Sequence, residues 1–442
     1  MFKRKIYKDL MEWKTNSNGK TALLVEGARR VGKSTIVEEF AKNEYRSYIL
    51  IDFAFAPKAI KDLFDDLHDL DYFFLQLQLQ YGVDLHERDS LIIFDEVQFN
   101  PLARQAIKRL VADGRYDYIE TGSLISIKKN VQDILIPSEE RRIEMFPMDF
   151  EEFLWAIGDE TTNNLLKQAF DQGISLGDDQ NHNMMKKFRL YMLVGGMPQA
   201  VKTYVEENNF RIVDDVKRDI LNLYMEDFYK IDPTGKISLL FESIPAELAR
   251  NSSRYQVSSV LNNHRASSIM EELAELKASK TVLFAYNADD PNVGLSSNLN
   301  LDKFKIYLAD TGLMVSLMFK DKDFTENLIY KKLLANNLSK NLGMVYENVI
   351  AQTLAFNRHK LYFNSYYDKD QKRTFEVDFL LTDKNKINPI EVKSSNYRAH
   401  RSLDEFSKKY SDRIGKEYII HTKDYRKDGN IIKIPFYMAQ FL

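Results

Sequence analysis

Apolar residues along the chain change period several times, and each change marks an element. They run without interruption in TALLVEG (21–27) and SLIIFDEVQ (90–98), as expected of strands covered on both faces. SYILIDF (47–53) and YDYIETGS (116–123) read as strands too. Between them, STIVEEFAKN (34–43) and NPLARQAIKRLVAD (100–113) read as helices, the second with Pro101 near its start, where proline is tolerated. Residues 1–14 suit a short amphipathic helix, and 57–81 are mainly helical. Inside that stretch LQLQLQ (75–80) alternates at period two, which also suits a strand; its flanks lack turn residues, which favours helix. Strands alternating with helices predict a parallel α/β sheet that ends near residue 150.

From Pro147 onward the pattern becomes helical, beginning with DFEEFLWAIG (149–158), with a loop where Gly, Asp and Asn gather at 173–183. SLLFESIPAELAR (238–250) and SSIMEELAELKASK (267–280) are amphipathic helices with QVSSVLN (256–262) between them, and TVLFAYN (281–287) is a strand. Helices followed by a short strand suggest a winged-helix arrangement. Strands and helices mix again after 301: KIYLAD, VYENVIAQTLAFNR, EVDFLLT, NPIEVKSS, RSLDEFSKKY and KEYIIHT. The fold class is therefore α/β multidomain. A parallel-sheet core spans 1–150, a helical lid and winged-helix region 151–300, and an α/β domain 301–442.

Composition narrows the class. With 442 residues, 44% hydrophobic and 29% charged, the chain is globular and large enough for several domains. No apolar stretch approaches the ~20 residues that cross a bilayer. The N-terminal MFKRKIYKDLMEWK is basic but has no apolar core or cleavage site, so it does not read as a signal peptide. The absence of cysteine excludes disulfides, thiolate catalysis and cysteine-bound zinc, and fits a cytoplasmic protein. The net charge of −3 hides an asymmetry: residues 301–442 carry 25 basic and 18 acidic side chains, leaving 37 and 47 for the first 300. A basic C-terminal third suggests an anionic partner there; ordinary variation in solvated charge is the other reading.

The most specific motif is EGARRVGKST (26–35). Gly27-Ala28-Arg29-Arg30-Val31-Gly32-Lys33-Ser34, followed by Thr35, fits G-x-x-x-x-G-K-[ST] between a strand and a helix. Glycines let successive N–H groups turn toward phosphate oxygens, and the following helix adds its positive end. Lys33 would reach the β- and γ-phosphates and Ser34 would ligate Mg²⁺. Asp95, ending LIIFD, would hold the Mg²⁺ through water, and Glu96 would orient or polarise an attacking water. A small-molecule kinase needs no such second acid, so ATP hydrolysis is favoured. Thr121 or Ser123 can sense the γ-phosphate; Ser123 equally suits a helix N-cap. Arg141 and Arg142 can offer a guanidinium to the transition state or serve as structural cations.

With these strings stand YMLVGGMPQAV (191–201), RDILNLYMEDFYK (218–230), IYLADTGLM (306–314), GMVYENVIAQTL (343–354), EVDFLL (376–381) and PIEVKSS (389–395). Taken in this order they resemble a bacterial and archaeal family of AAA-type ATPases. Its members join a P-loop core to a winged-helix segment and to a C-terminal domain of uncharacterised function that looks like restriction-endonuclease folds. The resemblance implies nucleotide binding and hydrolysis and supplies no substrate. Gly195-Gly196-x-Pro198 fits a tight turn as well as a binding site.

The last third carries a second constellation. Glu391 and Lys393, two apart on a strand, share a face. EVDFLL as a neighbouring strand would bring Asp378 to them, and Glu347 on the preceding helix would add a fourth group. Carboxylates suit Mg²⁺ or Mn²⁺, and the set looks like the D…E-x-K signature of restriction-type nucleases. A salt bridge on a solvated face is the bland alternative. The seven histidines are scattered; His264 with Arg265 falls near the recognition side of the winged helix or simply at the surface. Two functions follow. One is an ATPase whose nucleotide cycle regulates a nucleic-acid-binding or nuclease-like domain. The other is a nucleotide-dependent switch or scaffold for a protein or DNA partner, with a silent C-terminal domain. The oligomeric state stays open.

Overall fold

The uninterrupted apolar runs become strands of one parallel sheet. In the computed structural model β1 (Ala22–Glu26), β2 (Ser47–Asp52), β3 (Ser90–Asp95), β4 (Asp117–Gly122) and β5 (Glu140–Glu144) lie in the order β2-β3-β4-β1-β5, every neighbouring pair parallel. The structure describes residues 1–123, 136–250, 254–262, 264–292, 294–321, 334, 343–395 and 398–442. The sheet belongs to the first of two units, Met1–Phe146 with Ala278–Lys280. Every residue of β3 and β4 is buried, which is why these segments contain no alternation. Because all five strands run the same way, the carboxyl ends of β1, β3 and β4 share one edge of the sheet, where open α/β sheets bind ligands.

LQLQLQ lies in the helix Leu70–Tyr81, which buries Phe73, Phe74 and Leu77 while Leu75 and Leu79 face solvent. The helical stretch 57–81 is not continuous: it divides into Lys58–Asp62 and Leu70–Tyr81. The break falls in an aspartate-rich run whose carboxylates bond the backbone instead, Asp66 taking the His68 N–H and Asp69 capping Tyr72, both at 2.9 Å. β5, ERRIE, escapes prediction because it is a polar edge strand. Arg141 and Arg142 sit on it, and Arg142 donates to Glu140 at 2.7 Å.

The second unit, Pro147–Lys277 with Thr281–Leu442, opens with the helices Phe150–Ala156, Thr162–Gln172, Asp178–Val194, Pro198–Glu207 and Phe210–Ile231. The expected helix 238–250 is two, Lys236–Glu242 and Ile244–Ala249, because Pro245 has no N–H to continue the first. Val257–Val260 and Met270–Ala278 follow. β6 (Val282–Ala288), β7 (Leu299–Leu308), β8 (Leu361–Asp368) and β9 (Arg373–Val377) form a sheet in the order β7-β6-β8-β9. β10 (Phe379–Asp383), β11 (Lys386–Lys393), β12 (Glu417–His421), β13 (Arg426–Asp428) and β14 (Ile431–Pro435) form another, ordered β10-β11-β12-β14-β13. EVDFLL is thus not one strand: Asp378 stands at the break between β9 and β10.

VGGMP has a packing role. The Gly196 N–H donates to Asp310 at 2.6 Å, and the other Asp310 oxygen caps the helix Thr311–Met318 through Leu313 N–H at 2.8 Å. A Cβ on Gly196 would lie 2.0 Å from the Met148 carbonyl oxygen, and one on Gly195 2.4 Å from Asp310 Oδ1. Beneath this junction Lys217, fully buried, donates to the Leu193 carbonyl at 2.8 Å and the Gly312 carbonyl at 3.2 Å. Burial pushes its ammonium down to about 8, against the pull of Asp214 and Asp310.

Two outcomes follow from this junction. Gly196→Ala forces backbone apart and should destabilise the protein by about 1–3 kcal/mol, read by urea unfolding. Lys217 titrates lower when folded than when unfolded, so between the two pKa values the unfolded chain binds more protons and stability rises with pH. Relative to Lys217→Met, the wild type should gain about 2 kcal/mol between pH 8 and 10. Equal pH profiles for the two would show that Lys217 keeps an ordinary pKa.

Candidate functional site

The loop after β1 is shaped by backbone that few residues tolerate. Gly27 has φ +157° and packs so closely that a Cβ would meet the Met145 carbonyl oxygen at 2.3 Å. Gly32 has φ +97° and leads directly into the helix Lys33–Glu44. Arg30, at φ +70°, holds a left-handed conformation that costs a side chain about 1–2 kcal/mol. Arg4, buried just before the first helix, donates to the Val31 carbonyl at 2.9 Å and to the Phe146 carbonyl at 2.7 Å. It ties the loop to the chain beyond β5, a role nothing in the basic N-terminus announced.

Lys33 is buried, and its ammonium donates to the Gly27 and Ala28 carbonyls at 3.0 and 2.9 Å. Burial pushes its pKa down to about 8; the Glu96 and Asp95 carboxylates oppose that, and Arg29 adds to it. Asp95 ends β3, with β4 between it and the loop strand. Its Oδ1 accepts from the Ser34 hydroxyl at 2.7 Å and also from the Thr121 hydroxyl at the end of β4. Two strand ends and the first turn of a helix therefore meet at one carboxylate oxygen. Glu96 follows at φ +53°, and the Gln98 amide donates to its Oε2. Ser123 is buried at the end of the described stretch; the residues of any helix it would cap lie outside the described ones. The cluster of a hydroxyl and a carboxylate offers hard oxygen donors, which fit Mg²⁺.

The second constellation sits in the other unit. Lys393 Nζ lies 2.5 Å from Glu391 Oε1, so these two do share a face. Asp378 accepts the Val392 N–H at 2.7 Å, which brings it to the backbone between them. Burial, then the negative charge of Glu347, raises the Asp378 carboxyl well above the usual range; Lys305 works against this, and Glu391 and Glu376 add to it. Glu347 is held differently. Lys305 Nζ donates to Glu347 at 2.9 Å and to Glu376 at 2.6 Å, and the Tyr307 hydroxyl donates to Glu347 at 2.5 Å. Burial would pull the Lys305 ammonium down, but Glu347, Tyr307 and Glu376 outweigh it and hold the pKa well above normal. The signal for Lys305 and Tyr307 was present: Lys303, Lys305 and Tyr307 alternate with apolar residues along β7.

Glu391 Oε2 is buried and has no hydrogen-bond partner among the described residues. That orphaned oxygen, beside Asp378, fits a divalent cation. Among the described residues no three His, Asp or Glu side chains are arranged to hold one metal ion. The fit is therefore to a pair of carboxylates, with Glu347 engaged by Lys305.

Residues 19–154 match the AAA domain family. Residues 185–323 and 342–437 match two domains of unknown function, DUF8612 and DUF4143. No curated protein matches the chain. Among solved structures, the chain is similar to the Walker-type ATPase PABY2304 of Pyrococcus abyssi, at 16% identity and TM-score 0.42, covering 72% of this chain and 96% of that one. It is also similar to the Aeropyrum pernix ORC1 protein in complex with DNA, at 10% identity and TM-score 0.29, covering 76% and 93%. A third is the Thermotoga maritima RuvB Holliday junction branch migration motor, at 14% identity and TM-score 0.29, covering 66% and 90%. With the AAA match and the loop, the first unit has the P-loop AAA-type ATPase fold. Among the described residues no helix is long and apolar enough to cross a membrane.

Lys305→Met removes the shared partner of two carboxylates. We expect it to cost about 3–5 kcal/mol of stability, measured by urea unfolding. A change near zero would mean that Glu347 and Glu376 find solvent instead.

Proposed function

We propose that the chain binds ATP with Mg²⁺ on the 27–35 loop and hydrolyses it, and that this cycle regulates a C-terminal domain acting on nucleic acid. The observation that carries the reading is the meeting of the Ser34 and Thr121 hydroxyls on Asp95 beside the buried Lys33. To engage the β- and γ-phosphates, Lys33 leaves the Gly27 and Ala28 carbonyls, exchanging two neutral acceptors for charged ones. Backbone N–H groups from Ala28 to Thr35 cradle the phosphate oxygens. Ser34 and Asp95 hold the Mg²⁺, which supplies charge neutralisation on the phosphates. Glu96, oriented by Gln98, accepts hydrogen bonding from the attacking water and polarises it. The Thr121 hydroxyl, next to Asp95, is suited to sense the γ-phosphate; Ser123 is the alternative.

The division of labour we propose is an ATPase core at 1–150, a helical and winged-helix region at 151–300 and a nuclease-like domain at 301–442. The four short helices Lys236–Glu242, Ile244–Ala249, Val257–Val260 and Met270–Ala278 before the antiparallel pair β6–β7 support the winged helix. Asp378 and Glu391 would hold a divalent cation there, with Lys393 orienting water or phosphate, and DNA or another nucleic acid as partner. A second reading has one specific observation in its favour. Lys305 already neutralises Glu347, and among the described residues no third carboxylate completes a cluster. A switch or scaffold binding a protein or DNA partner, with a silent C-terminal domain, fits that economy.

ATP turnover with and without DNA, in wild type and Glu96→Gln, tests the proposal. The amide keeps size and hydrogen bonding but cannot act as a carboxylate. ATP binding should persist while turnover falls by about 10²–10⁴-fold. Hydrolysis at the wild-type rate would remove Glu96 from the mechanism, and Lys33→Ala that still binds ATP as tightly would remove the loop itself.

A further inference from the structure

A cavity of about 520 Å³ opens in the second unit between the segment 254–258 and the turn 264–267. Its floor is fixed. The Tyr255 ring stacks on Phe304, with centroids 6.0 Å apart and 15° between planes, and its hydroxyl donates to the Leu240 carbonyl at 2.9 Å. The Tyr255 N–H is bonded to the Phe304 carbonyl at 2.7 Å. The opposite wall is held by local bonds around Ser268, which accepts the Arg265 N–H at 3.2 Å and donates to the Arg265 carbonyl at 2.8 Å. Backbone bonds thus anchor both walls.

The lining side chains are cationic and hydrogen-bond donating. Arg254 comes from one wall, Arg265 and His264 from the other, with Ser258 and Ser267 beside them. Both arginines are exposed, and among the described residues neither guanidinium is committed to a carboxylate or a carbonyl. Lys303 lies close enough for Arg254 to reinforce the effect of burial on its ammonium. Asp302 is the one acidic side chain in the lining among the described residues. Arginines with a structural role elsewhere in this protein are paired, as Arg104 is with Glu140 and Arg115 with Asp113. Two exposed guanidinium forks that are uncommitted among the described residues thus line one concave space, which suits an anion.

We propose that this cavity binds backbone phosphates of nucleic acid, with Arg254 and Arg265 as the forked donors and the serine hydroxyls contacting phosphate or sugar. Guanidinium forks match phosphate bidentately, and hydroxyls are common partners of the same groups. The inference rests on the nucleic-acid reading above and locates it. It assigns no base readout to the cavity, so binding there is indifferent to sequence.

The test is fluorescence anisotropy of labelled single-stranded DNA, duplex DNA and RNA with the full chain over a salt series. It compares wild type with the double variants Arg254→Ala/Arg265→Ala and Arg254→Gln/Arg265→Gln. Removing one arginine from a phosphate should flatten the slope of log affinity against log salt by about 0.7–0.9. The double variants should therefore show a slope shallower by roughly 1.5 units and bind at least about tenfold more weakly. The glutamine pair keeps side-chain bulk, so it carries the test if the alanine pair does not fold. ATP turnover should be unchanged in both when no nucleic acid is present. Wild-type binding that survives the substitutions with its slope intact overturns the cavity and leaves the nucleic-acid reading standing. Wild type that binds none of the three nucleic acids overturns both. Arginine-dependent binding of inorganic phosphate alone, measured by calorimetry, overturns the identification of the ligand as nucleic acid.

Discussion

A charge taken out of water has to be answered within a few ångströms, and that requirement organises both units. In the first, the Lys33 ammonium is answered by two carbonyls of its own loop and by the carboxylates of Asp95 and Glu96. In the second, the Lys305 ammonium is answered by Glu347 and Glu376, and the Lys217 ammonium by two carbonyls near Asp310. Breaking a buried pair costs several kcal/mol because the survivor is stranded. Loops, strand ends and helix starts are therefore located by these cations as firmly as by apolar packing.

The two sets of charges are built for different purposes. Around Lys33 the partners are exchangeable: carbonyl oxygens that phosphate oxygens can outcompete. Around Lys305 they are carboxylates, one of which, Glu347, takes a second hydrogen bond from Tyr307. On the ATP-binding reading proposed above, the first arrangement is a resting state that phosphate would replace. The second is closer to a finished structure.

Much of this could be seen in the amino-acid order, and the exceptions share a cause. Strands β1 and β3 are legible because burial on both faces leaves the apolar runs ALLV and LIIF; β4 is legible through its apolar Tyr118 and Ile119, although it also buries Asp117, Glu120 and Thr121. The placement of Ser34 against Asp95, and of Lys33 under its own loop, could be anticipated from the spacing G-x-x-x-x-G-K-[ST] and the acid that ends LIIFD. β5 is not legible, since an edge strand needs no apolar face, and neither is the Asp378 break, since the run EVDFLL reads smoothly across it. Arg4 and Lys305 were missed for another reason. A buried cation looks like a surface one until its partners are known, and those partners lie 27 to 142 residues away for Arg4 and 42 and 71 away for Lys305. VGGMP is the intermediate case: the glycines were visible, but the carboxylate and carbonyls crowding them were not.

The sheet β7-β6-β8-β9 crosses a border that the family matches draw. β6 and β7 fall in the stretch 185–323, and β8 and β9 in 342–437, yet β6 pairs with β8 along one edge. The same is true of the charges: Lys305 comes from the first stretch, Glu347 and Glu376 from the second. Stretches that two separate family models match are thus folded together. A gene fusion that replaced either stretch would expose a strand edge and strand two carboxylates or one lysine. Selection can then vary the two only in concert, and each stretch constrains the evolutionary drift of the other.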